Sequence, residues 1–138
     1  MRRLLATLLT ALLATFLFVP QAFAGSPHFV GAIDVDRAGD TLTVSGKIAG
    51  LGNEDQVDVQ VTADASCVNP GGNKPSADNK QSFSAEGEFP VQNGKALFSL
   101  TLTATFQPSC TPPMTVEWSN VVVTAYDGLL TMAVPGTF

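Results

Sequence analysis

Residues 56–67 read QVDVQVTADASC. Val57, Val59, Val61, Ala63 and Ala65 take every second position, and Asp58, Gln60, Thr62 and Asp64 fill the gaps. A strand turns successive side chains to opposite faces, so this alternation specifies a strand with one dry and one wet face. A helix would scatter the same apolar residues around its circumference, because its apolar stripe needs spacings of three and four. One wet face points to an antiparallel sheet, since parallel sheets are covered on both sides.

The same period recurs on either side. In GKALFSLTLTATF (94–106), Ala96, Phe98, Leu100, Leu102, Ala104 and Phe106 share a face, while Lys95, Ser99, Thr101, Thr103 and Thr105 share the other. DTLTVSGKI (40–48) repeats the pattern with Leu42, Val44 and Ile48. Asn93-Gly94 and Asp127-Gly128 are dipeptides that tolerate the positive φ of tight turns. Ala38-Gly39-Asp40 and Gly50-Leu51-Gly52-Asn53 supply further breaks. About seven strands result, near 28–36, 40–49, 56–66, 80–91, 94–106, 114–125 and 129–135. That number and spacing predict an all-β chain, an immunoglobulin-like antiparallel β-sandwich, with a small β-barrel as the alternative.

The N-terminus sets the expected compartment. Arg2 and Arg3 precede the uncharged apolar run 4–19, Pro20 breaks it, and Ala22-Phe23-Ala24 offers small residues at a cleavage site. The run falls short of the about 20 residues that cross a bilayer. Residues 1–24 therefore read as a cleaved signal peptide and 25–138 as one secreted or extracytoplasmic domain, without a lipid anchor or later membrane insertion. Removing Arg2 and Arg3 from the seven Lys+Arg leaves five against twelve Asp+Glu, a formal net charge of −7. So acidic a domain has little with which to neutralise phosphates, which argues against nucleic acid as a partner.

Export gives the two cysteines an oxidising environment. Extending each alternation places Cys67 on the dry face beyond Ala65, and Cys110 on the dry face beyond Phe106. The two thiols thus share a phase just where their strands end, which predicts a Cys67–Cys110 disulfide. Closing a loop of about 43 residues stabilises by about 4 kcal/mol on the chain-entropy view. A metal site would need more ligands than two cysteines and the distant His28, and a catalytic thiol would need a partner base. No metal or cofactor is expected.

Other candidate features also admit plainer roles. Asp34-Val35-Asp36-Arg37-Ala38-Gly39-Asp40 loosely resembles a calcium loop but lacks the third alternating carboxylate and the distal Glu, so a solvated turn is favoured. The Thr101-x-Thr103-x-Thr105 row, echoed by Thr41 and Thr43, has the spacing of an ice-ordering ladder, yet threonine is common on wet strand faces. His28 has no matched nucleophile, Glu86 and Glu88 read as a wet face, and no catalytic constellation is present. Phe138 invites comparison with outer-membrane barrels, but the strands carry polar second faces instead of an apolar outer band. Trp118 and Tyr126 are candidate aromatic contacts, although Trp118 alternates with Met114 and Val116 as a core residue would.

CVNPGGNKP (67–75), with the later CTPPMTVEWSNVVVT (110–124), resembles a group of small exported bacterial proteins that carry a Cys-x-Asn-Pro-Gly-Gly-Asn loop. The resemblance spans Cys67 to Thr124 and implies an exported β-rich domain, with no chemistry attached. The expected function is a non-enzymatic binding or adhesion module for an extracellular protein or polysaccharide. Loops 67–80 and 107–113, tied by the disulfide, form the expected contact edge, with Asn69, Gly71, Gly72, Asn73 and Lys74 as candidate contacts. The alternative is a structural cell-surface component that self-associates through an unpaired sheet edge. The oligomeric state is left open.

Overall fold

The alternating valines lie on the longest strand of a computed structural model that describes residues 25–71 and 79–138. In chain order the strands are β1 (His28–Phe29), β2 (Asp34–Ala38), β3 (Thr41–Ala49), β4 (Gln56–Val68), β5 (Lys80–Pro90), β6 (Ala96–Thr103), β7 (Thr115–Ala125) and β8 (Leu130–Thr137). One sheet has β3 at its centre, with β6 on one side and both β1 and β2 on the other. The second runs β5-β4-β7-β8, and every pairing is antiparallel. Their dry faces meet, so the protein is a β-sandwich. β1–β2, β3 and β6 take the A, B and E positions of an immunoglobulin-like domain, and β4, β5, β7 and β8 take C, C′, F and G. The predicted signal peptide, 1–24, lies outside the described residues.

Among the described residues eight strands stand where about seven were expected, because the first predicted strand is interrupted. His28 and Phe29 pair with Ala49 and Ile48, and Asp34 resumes the same edge opposite Ser45. Between them Gly31 adopts φ +72°, a conformation that breaks a strand.

The alternation read from sequence is the burial pattern observed. Val57, Val59, Val61, Ala63 and Ala65 of β4 are buried, facing Leu42, Val44 and Ile48 of β3 and Phe98 and Leu102 of β6. Each valine, leucine, isoleucine or phenylalanine among them contributes about 1.5–3 kcal/mol on full burial. Gly46 interrupts the apolar series of β3 for a packing reason. A Cβ there would stand 2.8 Å from both Ile33 Cδ1 and Phe98 Cζ, so the glycine makes room for the phenyl ring paired opposite it.

β7 departs from simple alternation. Val116 and Trp118 are buried, and so are Val121, Val123 and Ala125, a change from even to odd positions. The phase changes at Asn120, which adopts φ +53° where the β4–β7 register shifts. A bulge of this kind keeps both apolar series inside; without it one would face water. The shift continues outward, because the β7–β8 register also slips, beside Pro135 and Gly136. Beyond it Phe138 lies beside Trp118, where the two backbones exchange hydrogen bonds of 2.9 and 3.0 Å.

Candidate functional site

The strand directions divide the connections between two ends. Residues 69–71 and the loop 104–114 lie at one end, where β4 and β6 finish and β5 and β7 begin. Loops 50–55, 91–95 and 126–129 meet at the other. The candidate residues Asn69 and Tyr126 therefore sit at opposite ends and cannot form one site.

The first end is stapled. Cys67 and Cys110 form the expected disulfide, with S–S 2.02 Å and Cα–Cα 5.7 Å. Cys67 Sγ approaches Met114 Sδ at 3.7 Å, a packing contact, because a disulfide sulfur has no proton to donate. Both faces of β4 are covered here, since Ser66 and Val68 are buried along with Cys67. Asn69 and Gly71 are exposed, linked by a 2.9 Å hydrogen bond from Gly71 N to Asn69 O. Gly72, Asn73 and Lys74 lie outside the described residues.

Trp118 does not serve as a surface contact. It is 0% exposed, and its ring meets Phe83 edge-on at 5.7 Å, with Phe83 in turn meeting Phe106 at 6.1 Å. Its alternation with Val116 is the reason: both occupy the dry phase of β7. Its Nε1 has no hydrogen-bond partner among the described residues.

The second end is open and held by backbone bonds. Leu51, buried, donates its N–H to Gly94 O at 3.0 Å, and Val91 donates to Asp55 O at 2.9 Å. Asn93 and Gly94, at φ +53° and +72°, close the two-residue turn between Gln92 and Lys95. β5 and β6 then separate into different sheets, which makes the turn a bridge across the sandwich. Asp127 and Gly128 adopt φ +51° and +83° inside the turn closed by Leu129 N to Tyr126 O. The Asp58 carboxylate fixes that turn by accepting the Asp127 N–H at 3.0 and 3.2 Å.

A cleft of about 530 Å³ opens between loops 50–55 and 91–95, lined by Asn53, Glu54, Asn93 and Lys95 together with Gly50 and Gly52. The Tyr126 hydroxyl donates to Glu54 Oε1 at 3.3 Å, so the phenol ring stands beside this wall. The charge of Glu54, first, and loss of water hold the Tyr126 pKa above its ordinary value. Residues 25–27 also pack here: a Cβ on Gly50, at φ +75°, would meet Ser26 O at 2.1 Å.

The strand faces carry the remaining candidates. On the outer face of the β3 sheet, Thr41, Thr43 and Ser45 stand opposite Thr103, Thr101 and Ser99, and the Thr43 and Thr101 hydroxyls lie 2.9 Å apart. Thr105 falls beyond β6 and outside this ladder. Asp34 and Asp36 lie on β2, opposite Ser45 and Thr43, and Gly39 turns the chain back at φ +62°. His28 Nδ1 lies 2.7 Å from Ser26 O. On the β4 sheet, Asp64 accepts hydrogen bonds from Ser82 Oγ and, at 2.8 Å, Asn120 Nδ2, with Lys80 Nζ at 3.4 Å. Those two hydrogen bonds, aided by Lys80, hold its carboxyl below the usual range against a partial loss of water.

Among the described residues no cluster of three or more His, Cys, Asp or Glu side chains could hold a metal ion. No described helix is long and apolar enough to cross a membrane. The disulfide is compatible with an extracytoplasmic protein. Comparison with family models, with curated proteins and with solved structures finds no match to this chain. The open end is not assembled by the sequence reading because its residues are distant in the chain; Gly50 and Gly52, the Asn93-Gly94 and Asp127-Gly128 dipeptides and the candidate Tyr126 are separate local signals with nothing to join them.

Proposed function

We propose that the protein is a secreted, non-enzymatic binding module that recognises a polysaccharide through its open end. The observation that carries this is the cleft between loops 50–55 and 91–95, walled by amide, carboxylate and ammonium groups and flanked by one tyrosine ring. Sugar hydroxyls need such short-range donors and acceptors, and the apolar face of a sugar ring suits an aromatic ring set beside them. The turns that hold these groups are fixed by hydrogen bonds, so little ordering entropy opposes binding. Loops on a rigid scaffold are a common seat of recognition.

The test is retention of the oxidised, exported protein on insoluble polysaccharides and on isolated cell envelopes. The expected result is binding that is lost in Glu54→Ala/Lys95→Ala and kept in Asn69→Ala. Loss on replacing loop 69–74, with Glu54→Ala/Lys95→Ala unaffected, would move recognition to the stapled end. Retention on envelopes stripped of polysaccharide would indicate a protein ligand instead. No retention on either would defeat the proposal.

A further inference from the structure

The lateral edges of the two sheets differ in how they meet solvent. The β1–β2 edge is interrupted at 30–33 and carries Asp34 and Asp36. The β8 edge carries Pro135 and Gly136 beside a register shift. Breaks, charges and proline of this kind discourage strand addition. On the opposite flank β5 runs for 11 residues, reaches a proline only at Pro90, and is bonded to β4 on one side.

Its side chains are self-complementary. Lys80, Ser82, Ser84, Glu86 and Glu88 stand opposite Ser66, Asp64, Thr62, Gln60 and Asp58 of β4, so all five share the outer face. If a second β5 lies antiparallel with Ser84 opposite Ser84, Lys80 of each copy faces Glu88 of the other, and Ser82 faces Glu86. Registers centred on Glu86 or Gly87 would instead oppose glutamate to glutamate, which is unfavourable. Lys80 is free to reach a partner: its side chain is 55% exposed despite the Asp64 contact. On the inner face Phe83 and Ala85 are only half-buried, and in this register each would cover the other's counterpart. β6, the neighbouring edge, has no charged residue within Ala96–Thr103 to select a register.

We infer that β5 is the pairing edge for a second copy of this chain, in the antiparallel register with Ser84 on the two-fold axis. The two open ends then point in opposite directions, so, resting on the recognition surface proposed above, the dimer presents its two clefts back to back and can bridge two ligands.

Sedimentation equilibrium over a wide concentration series, without any ligand, tests the pairing independently of recognition. The expected result is a monomer–dimer equilibrium that weakens with salt, because the charge pairs are exposed. Lys80→Glu and Glu88→Lys each convert two attractive cross-strand pairs into repulsive ones and should weaken dimerisation about tenfold. Lys80→Glu/Glu88→Lys together should restore it, a rescue that mere loss of the Asp64 contact would not give. Circular dichroism of each variant checks that it is folded. A chain that stays monomeric throughout overturns the inference, as does a double variant no better than either single one. Dissociation by Leu97→Lys with no response to the charge exchange would place the contact on β6 and overturn it too.

Discussion

The two ends of the sandwich reach order by different routes. At the stapled end, Cys67–Cys110 and the edge-to-face rings of Trp118, Phe83 and Phe106, with Phe83 in the middle, hold the chain through a covalent bond and apolar contact. At the open end, left-handed turn residues and hydrogen bonds accepted by Asp58 and donated by Leu51 and Val91 do so with few apolar groups. The contrast teaches that rigidity and exposure of polar groups are separable. An apolar cluster fixes a loop by turning its side chains inward. Turn chemistry fixes the backbone and leaves Asn53, Glu54, Asn93 and Lys95 facing outward.

The largest effect should come from breaking the covalent route. Cys67→Ala/Cys110→Ala should lower unfolding free energy by about 4 kcal/mol, read by chemical denaturation, while Tyr126 fluorescence and titration stay unchanged. A matching disturbance of Tyr126 would mean that the ends are not independent. Next is Gly50→Ala at the open end. The left-handed conformation and the 2.1 Å approach of Ser26 O should cost about 2 kcal/mol and raise hydrogen exchange at residues 26–29.

Asp64 supplies a pH test on the wet face of the β4 sheet. Its folded pKa lies below the unfolded value, so its contribution is in place above the ordinary aspartate pKa of about 3.9 and is lost as pH falls through the lower folded value. Asp64→Asn should flatten that part of the stability–pH curve. The smallest effect, and the sharpest for the open end, is spectroscopic. Tyr126 is the only tyrosine, so its ultraviolet titration is unobscured, and Glu54→Gln should bring the raised midpoint back toward the ordinary phenol value. An unmoved midpoint would separate Tyr126 from the cleft wall.

Much of the fold was legible because period-2 alternation is local and strong. Residues 57–65 and 96–106 announced their dry faces, and the shared phase of Cys67 and Cys110 announced the disulfide. The break at Gly31 was not legible, since one glycine between apolar residues is compatible with a continuous strand. Neither was the Asn120 bulge: Trp118 and Val121 differ by three residues, and only tertiary packing shows that both are inside. The Asn93-Gly94 turn was found, but an Asn-Gly turn does not say whether its strands share a sheet. Here they do not, and for that reason the open end could not be assembled from sequence. Tyr126 meets Glu54 across 72 positions of chain, a pairing that no local pattern encodes.

The disulfide also has a mechanical consequence. The first described residues lie at the open end and Phe138 at the stapled end, so a pull between them would load the sandwich lengthwise, shearing strands past one another. Once the strands yield, the 43-residue span between Cys67 and Cys110 stays tied off and cannot lengthen. At about 3.5 Å per residue, the oxidised chain should pay out about 150 Å less than the reduced one when stretched. Under load the molecule is a short tether with a hidden reserve that only a reductant releases.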